Sequence, residues 1–365
     1  MVHTESAVSN LKPKHQAVLF PSLAYYDPKR DSCQALVHGR VFIESQIPLG
    51  TRLLLRGLKR AMKATPEQVA SETFQRRIVG FLAAPGKRRK IALQIASHDY
   101  NLRRRSRRNG AFYGRLGLPA DFGKELLDSN TPQQVPMQLL RDKEPVGTSV
   151  PTNGKIHFVP PYGLSVISDI DDTIKLTDAT SKKEMLANTF LRPFEVIEGM
   201  AELYRSWQQK GCVFHYVSSS PWQLYLPLSE FCSSTNFPDG SMHLRYFRVR
   251  DQMFKRFRLL RRNSKVAIIA GIFKRLPHRK FILVGDSGEK DPEIYRFLAR
   301  RFPGSVSAIL IRELKQRPFD RKRLTRLESL QGEYVDLVRV FQHPSEITSV
   351  ADDCFRYMQP SQTFS

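Results

Sequence analysis

Three short apolar strings in the second half of the chain each end in a cluster of polar, chemistry-bearing residues, and this pattern limits the fold more than any other feature. Residues 164–167 run into Ser168-Asp169-Ile170-Asp171-Asp172-Thr173, residues 213–217 into Ser218-Ser219-Ser220-Pro221, and residues 281–284 into Gly285-Asp286-Ser287-Gly288-Glu289-Lys290-Asp291. A fourth string follows at 306–311. Short apolar runs bounded by turn residues suit strands that are covered on both faces. Helical patterns lie between them, at 181–190 and after Asp291-Pro292-Glu293, which is expected to cap a helix carrying Ile294, Phe297 and Leu298 on one face. Strands alternating with helices predict an α/β, Rossmann-like parallel sheet, and such sheets bind ligands at the carboxyl ends of their strands.

The texture upstream is different. Strands are predicted at residues 36–43 (LVHGRVFI), 77–83, 90–95 and 135–140, which makes this part β-rich and sandwich-like. Thr65-Pro66-Glu67-Gln68 announces a helix, with Thr65 as N-cap, proline in the first turn and Gln68 completing a capping box. The loops GKRRK and LRRRSRR read as solvated, with a binding site as the alternative that the net charge favours. Turn formers in VPTNGKIHFVPPYG mark the change of domain. The expected organisation is a tail over 1–30, a β-rich domain over 31–159, the α/β domain over 160–345 and a second tail over 346–365.

The 365 residues carry 58 Lys and Arg against 35 Asp and Glu, a formal net charge of +23. A field of that sign attracts nucleic acid, anionic lipid or phosphorylated small molecules, and says nothing about fold. The longest apolar run, 266–273, is far short of the roughly 20 residues that span a bilayer. The opening MVHTESAVSN lacks the basic and apolar regions of a secretion signal. Cys33, Cys212, Cys232 and Cys354 show no CxxC spacing and read as reduced structural thiols. A cytoplasmic protein, peripheral to membranes, is the expectation. No Cys/His zinc spacing, Walker A loop or GxSxG elbow occurs.

The polar clusters suggest phosphoryl chemistry. Asp169 and Asp171, at i and i+2 on a strand-ending loop, can face one cavity, one offering a nucleophilic oxygen and the other a proton shuttle. Ser218, with neighbouring backbone N–H groups, suits a phosphoryl oxygen. The acids after residues 281–284 offer hard oxygen ligands for Mg²⁺. Lys265 opens an apolar helix-like run and supplies a cation to balance phosphate charge. Each signal alone is ordinary: Asp-rich loops are commonly solvated turns, and a single lysine in so basic a chain means little.

Their order and setting resemble the haloacid dehalogenase superfamily of phosphotransferases. The resemblance implies that Asp169 attacks phosphorus to form an aspartyl-phosphate. Asp171 would protonate the leaving oxygen and then deprotonate water, and a raised pKa would suit that role. Ser218 and Lys265 would hold the phosphoryl oxygens, with Thr173, Ser219 and Trp222 also on the substrate side. Mg²⁺ would lie between Asp169, Asp286 and the carbonyl of Asp171, with Asp291 either a water-mediated ligand or a helix cap. Asp172 fits a supporting or capping role. Longer strings, GLSVISDIDDTIK, NTFLRPF, FHYVSSSPWQLY, RKFILVGDSGEKDPEIY and RFPGSVSAILIREL, resemble the catalytic domain of the phosphatidate phosphatases typified by the yeast actin patch protein. That implies Mg²⁺-dependent conversion of phosphatidate to diacylglycerol. One departure is Ser264, where the family usually has a histidine before the lysine.

Residues 252–262 would form a helix with Met253, Phe254, Phe257 and Leu260 as an apolar stripe among five cations, suited either to core packing or to an anionic bilayer. Residues 175–212 are few, implying a small cap and an open site. Trp222 fits a substrate wall or buried scaffold, and His215 a sheet interior. Beside the lipid phosphatase reading stand two others: a phosphatase for a sugar phosphate, nucleotide or nucleic-acid end, and a lipid-binding scaffold with a vestigial site. Nucleic acid remains a second partner class on charge alone.

Overall fold

The computed structural model describes residues 7–43, 49–129, 131–143, 152–178, 181–245, 257–314, 321–333 and 336–358. The chain divides into two compact units, one from 1–55, 78–160 and 240–242, the other from 56–77, 161–239 and 243–365.

The first unit is a mixed sheet of β1 (His15–Leu19), β2 (Ser22–Asp27), β3 (Ser32–Ile43), β4 (Ala84–Pro85), β5 (Ala92–Ile95), β6 (His98–Asn101), β7 (Ala111–Gly117), β8 (Gln133–Leu140) and β9 (Asn153–Val159). The order is β1-β3-β2-β9-β8-β5-β6, with β4 and β7 also on β3. The long β3 organises it: β1 and β2 share one edge, at its two ends, and β7 lies along the other. Leu19, Val37, Leu93, Phe112, Met137 and Phe158 belong to its buried core.

Three expectations are corrected here. Residues 1–30 are not simply a tail, because HQAVL and SLAYYD supply β1 and β2 and bury Val18, Leu19, Leu23 and Ala24. Helices α1 (Leu49–Met62), α2 (Pro66–Ala70) and α3 (Glu72–Leu82) come next, so 77–83 is largely helical rather than a strand. Its buried Phe74, Ile78 and Phe81 follow helical spacing, and Val79, which alternation would bury, is exposed. Residues 56–77 belong to the second unit, which interrupts the domain expected over 31–159. There the buried Arg77 donates to the carbonyls of Thr189 at 2.9 Å and Arg192 at 2.6 Å and lies 3.7 Å from the Phe194 ring centroid. The capping box at Thr65 forms as its sequence indicates. Helix α4 (Ala120–Asp128) completes this half of the chain.

The second unit contains β10 (Gly163–Ser168), β11 (Lys175–Leu176), α5 (Lys182–Phe190), β12 (Glu195–Val196), α6 (Met200–Gln209), β13 (Val213–Pro221), α7 (Tyr225–Ser234), β14 (Gly240–Arg245), α8 (Phe257–Arg275), β15 (Arg279–Asp286), α9 (Asp291–Arg301), β16 (Val306–Arg312), α10 (Arg321–Glu333), β17 (Val338–Phe341) and α11 (Val350–Met358). Its sheet runs β14-β13-β10-β15-β16-β17, and the pairings from β13 to β17 are parallel. Chain order grows outward from β10 on both sides. The reversal of direction at β10 opens the crevice in which such sheets hold ligands. Leu164, Val166, Ile167 and the whole 281–284 run are buried, as strands covered on both faces require.

Residues 346–365 are not wholly a tail either, since α11 buries Val350, Ala351 and Cys354. On α9 the inward face is Ile294, Tyr295 and Leu298, whereas Phe297 is 43% exposed. The helix N-cap is Lys290, with no side-chain cap bond, and Asp291 is used elsewhere. In the stretch expected to be an amphipathic helix, 252–256 lies outside the described residues, and α8 begins at Phe257. All four cysteines are buried free thiols. Among the described residues no helix is long and apolar enough to cross a membrane.

Arg279 fixes the start of β15 to β10. Its Nε donates to Ser165 Oγ at 2.8 Å, Nη2 to the Leu164 carbonyl at 2.5 Å, and Nη1 to the Tyr162 carbonyl. Burial lowers its pKa to about 10. Arg279→Leu leaves these acceptors without their donor and is expected to cost about 2–4 kcal/mol. Urea unfolding should show a lower midpoint with an unchanged slope.

Candidate active site

The loop after β10 is shaped by Asp172. Its φ is 56°, and its Oδ1 accepts the N–H groups of Thr177 and Asp178, both at 2.8 Å. Asp172 therefore holds the turn. The Asp169 N–H donates to the Val284 carbonyl at 2.9 Å, extending the β10–β15 pairing one residue beyond the strand. Asp169 and Asp286 thus stand at adjoining strand ends although 117 positions apart in the chain (286 − 169).

Oxygens of Asp169, Asp286 and Asp291 lie within 4.8 Å of one another, and all three residues are buried. Lys265, on α8, places Nζ 3.1 Å from Asp169 Oδ1 and against Asp291 Oδ1. Asp286 Oδ1 accepts from the N–H groups of Gly288 at 2.7 Å and Glu289 at 2.9 Å, while its Oδ2 and Asp169 Oδ2 are buried without a hydrogen-bond donor and Asp169 Oδ1 has only the Lys265 ammonium beside it. The cluster closes only because residue 285 is glycine. A Cβ there would lie 2.2 Å from Asp291 Oδ2.

Burial pushes the Asp169 carboxyl well above its usual range; Lys265 opposes this, and the neighbouring acids reinforce it. Asp286 is likewise raised, by burial and then by Asp291 and Glu289. For Lys265 burial acts downward, but Asp169 and Asp291 outweigh it and hold the ammonium firmly charged.

Asp171 belongs to a second network. Its Oδ1 faces Lys175 Nζ at 2.9 Å and accepts from Thr177 Oγ1 at 2.8 Å; its Oδ2 accepts from Ser220 Oγ at 2.6 Å and Ser218 Oγ at 3.2 Å. Burial would raise its pKa, yet Lys175, with the bonds from Ser220 and Thr177, takes it down to about 2. A raised Asp171, which would suit a general acid, is not what these neighbours produce. The cause is Lys175, four residues on and only 2% exposed.

Other sequence assignments fare unevenly. The second hydroxyl on Asp171 is that of Ser220, not Ser219. Strand β13 continues through Pro221, so alternate residues 218 and 220 share a face and half-buried Ser219 takes the other. Thr173 is buried with its hydroxyl unpartnered. Trp222 is buried in a short 3₁₀ turn, as is His215 within β13. The open site expected from the short 175–212 segment is not found at the carboxylates, where Asp169 is 1% exposed. Its side chains close on one another. Lys175, Thr177 and Ser220 were missed, although period-two alternation from Ser218 points to Ser220.

Residues 164–313 match the family described as the catalytic domain of Phosphatidate phosphatase APP1. The chain is 30% identical over 288 residues to Phosphatidate phosphatase APP1 of Saccharomyces cerevisiae, covering 76% of this chain and 46% of the yeast protein. It is 36% identical over 157 residues to an uncharacterized protein of Schizosaccharomyces pombe, covering 42% of this chain and 25% of that one. The chain thus spans less than half the length of these relatives. A solved sialyltransferase from Photobacterium damsela, at 11% identity over 74% of this chain and 54% of that one, gives a TM-score of 0.22, too low to bear on the fold.

The Asp171 pairing has a pH signature. A carboxyl lowered from 3.8 to about 2 contributes stability that is present above pH 3.8 and lost as pH falls through about 2. The shift corresponds to about 2 kcal/mol. Lys175→Met should therefore be less stable than wild type at pH 6, with the gap narrowing toward pH ~2. Urea midpoints of the two proteins across that range check this.

Proposed function

We propose that the chain is a Mg²⁺-dependent phosphatidate phosphatase of haloacid dehalogenase-type fold, acting through an aspartyl-phosphate and working at membrane surfaces. The carrying observation is the Asp169, Asp286 and Asp291 cluster with Lys265 beside it, at the carboxyl edge of a parallel sheet. The APP1-type match over 164–313 supports the choice of substrate.

Asp286 Oδ2 and Asp169 Oδ2, buried and without donors, suit a hard divalent cation, which Asp169, Asp286 and Asp291 would hold. Bound there, Mg²⁺ would cancel phosphate charge and orient the transferred group. An Asp169 oxygen forms the bond to phosphorus as the bond to the lipid oxygen breaks, and that oxygen takes a proton which Asp171, ionised at rest, first accepts from solvent and then passes on. Lys265 offsets the charge that otherwise repels a dianion from a carboxylate. Ser218 and Ser220 orient Asp171 by donating their hydroxyls to it. Water then loses a proton to Asp171 and cleaves phospho-Asp169, regenerating the carboxylate. The ionised resting state of Asp171 suits this second step, in which it acts as a base.

Phosphate release from phosphatidate vesicles tests the reading. Asp169→Asn should lower it by roughly a thousandfold or more while vesicle binding persists. Chelation should abolish wild-type release. Faster hydrolysis of sugar phosphates or phosphorylated oligonucleotides would move the assignment to another phosphomonoester, and vesicle binding without release would make the protein a scaffold. With p-nitrophenyl phosphate, whose leaving group needs no acid, Asp171→Asn should accumulate hydroxylamine-sensitive phosphoenzyme. A variant that turns over at the wild-type rate sinks the role given to Asp171.

A further inference from the structure

Two basic loops far apart in sequence are joined in the first unit. One follows β4 and carries Lys87, Arg88, Arg89 and Lys90; the other joins β6 to β7 and carries Arg103, Arg104, Arg105, Arg107 and Arg108. Ser106, 2% exposed, ties them together. Its hydroxyl donates to the Gly86 carbonyl and accepts the Arg89 N–H, both at 2.8 Å, and its backbone pairs with Arg88 and Arg89 at 3.0 and 2.8 Å. Both loops are moored to the end of β3, since Gly86 N–H donates to the Val41 carbonyl and Val41 N–H to that of Gly110. Gly110 has φ 82°, and a Cβ there would lie 2.1 Å from the Val41 carbonyl oxygen. Arg88 sits at φ 54°, a position that favours glycine or asparagine, yet it carries a cation.

The result is nine cations on one built edge. Arg89 is half-buried and the other eight are exposed. No ion pair joins any of them to an acid among the described residues. Surface charges in folded proteins are usually interspersed with the opposite sign, so an uncompensated, hydrogen-bonded array asks for an anionic partner. Neither run contains an aromatic residue, and the half-buried Tyr113 ring beside the second loop is taken up by Arg107, whose guanidinium carbon lies 5.0 Å from its centroid.

We infer that these paired loops are a docking surface for an anionic phospholipid bilayer. The choice of lipid over other polyanions rests on the phosphatidate reading; the surface itself does not. Each basic residue held near an anionic leaflet strengthens binding roughly fivefold, so a few of them set whether the chain is bound or free.

Vesicle sedimentation of the full chain tests the inference without turnover, using phosphatidylcholine with about 20 mol% phosphatidylserine, which has no phosphomonoester. Binding is expected to these vesicles and not to pure phosphatidylcholine. A variant with Arg103→Gln, Arg104→Gln and Arg108→Gln should bind roughly 100-fold more weakly. A second, with Lys87→Gln and Lys90→Gln, should lose roughly 10- to 30-fold and keeps the test intact if the first does not fold. Both should hydrolyse soluble short-chain phosphatidate at the wild-type rate. Unchanged vesicle binding in the folded variants, absence of wild-type binding, or tighter loop-dependent binding to duplex DNA at about 150 mM salt would overturn the inference. Loss of vesicle binding in the variants, with no phosphatidate hydrolysis by wild type, would leave the docking surface standing and remove the substrate assignment.

Discussion

A buried ammonium among carboxylates organises the second unit. Lys265 brings one positive charge to Asp169 and Asp291, and without it three acids so deeply buried would oppose ionisation together. A buried ion pair is a poor device for stability, because both charges lose their hydration. Its value here is arrangement. It ties α8 to the loop after β10 and to the first turn of α9, so elements from three parts of the chain share one electrostatic centre.

The two acids of the DxD pair are consequently unlike. Asp169 has only the Lys265 ammonium beside it and a raised pKa, whereas Asp171 is surrounded by donors and lowered. Two residues on one loop reach opposite protonation preferences because burial and the neighbouring acids outweigh Lys265 at the first, while Lys175 and the hydroxyls outweigh burial at the second. Divergence of this kind between neighbouring titratable groups is a physical basis for assigning separate chemical roles.

Much of this was legible in the residues. The strands at 164–167, 213–217 and 281–284 could be found because parallel strands covered on both faces leave continuous apolar strings, and the acids and hydroxyls that follow them mark their carboxyl ends. The Lys175 pairing was hidden, since a lysine in a basic chain carries no mark of burial. Residues 77–83 were read as a strand because Ile78, Val79, Phe81 and Leu82 make a short apolar run, which by itself does not separate a strand from a piece of helix. Strands β1 and β2 were overlooked because prolines and polar residues around them masked two short apolar stretches.

The interleaving of the two units has a consequence for synthesis on the ribosome. Residues 56–77 emerge early, but the carbonyls that receive Arg77 belong to residues 189 and 192, and the strands that complete their sheet come later still. The nascent chain must carry this helical piece unsatisfied while more than a hundred further residues are made, so the second unit cannot mature as an independent block in order of translation.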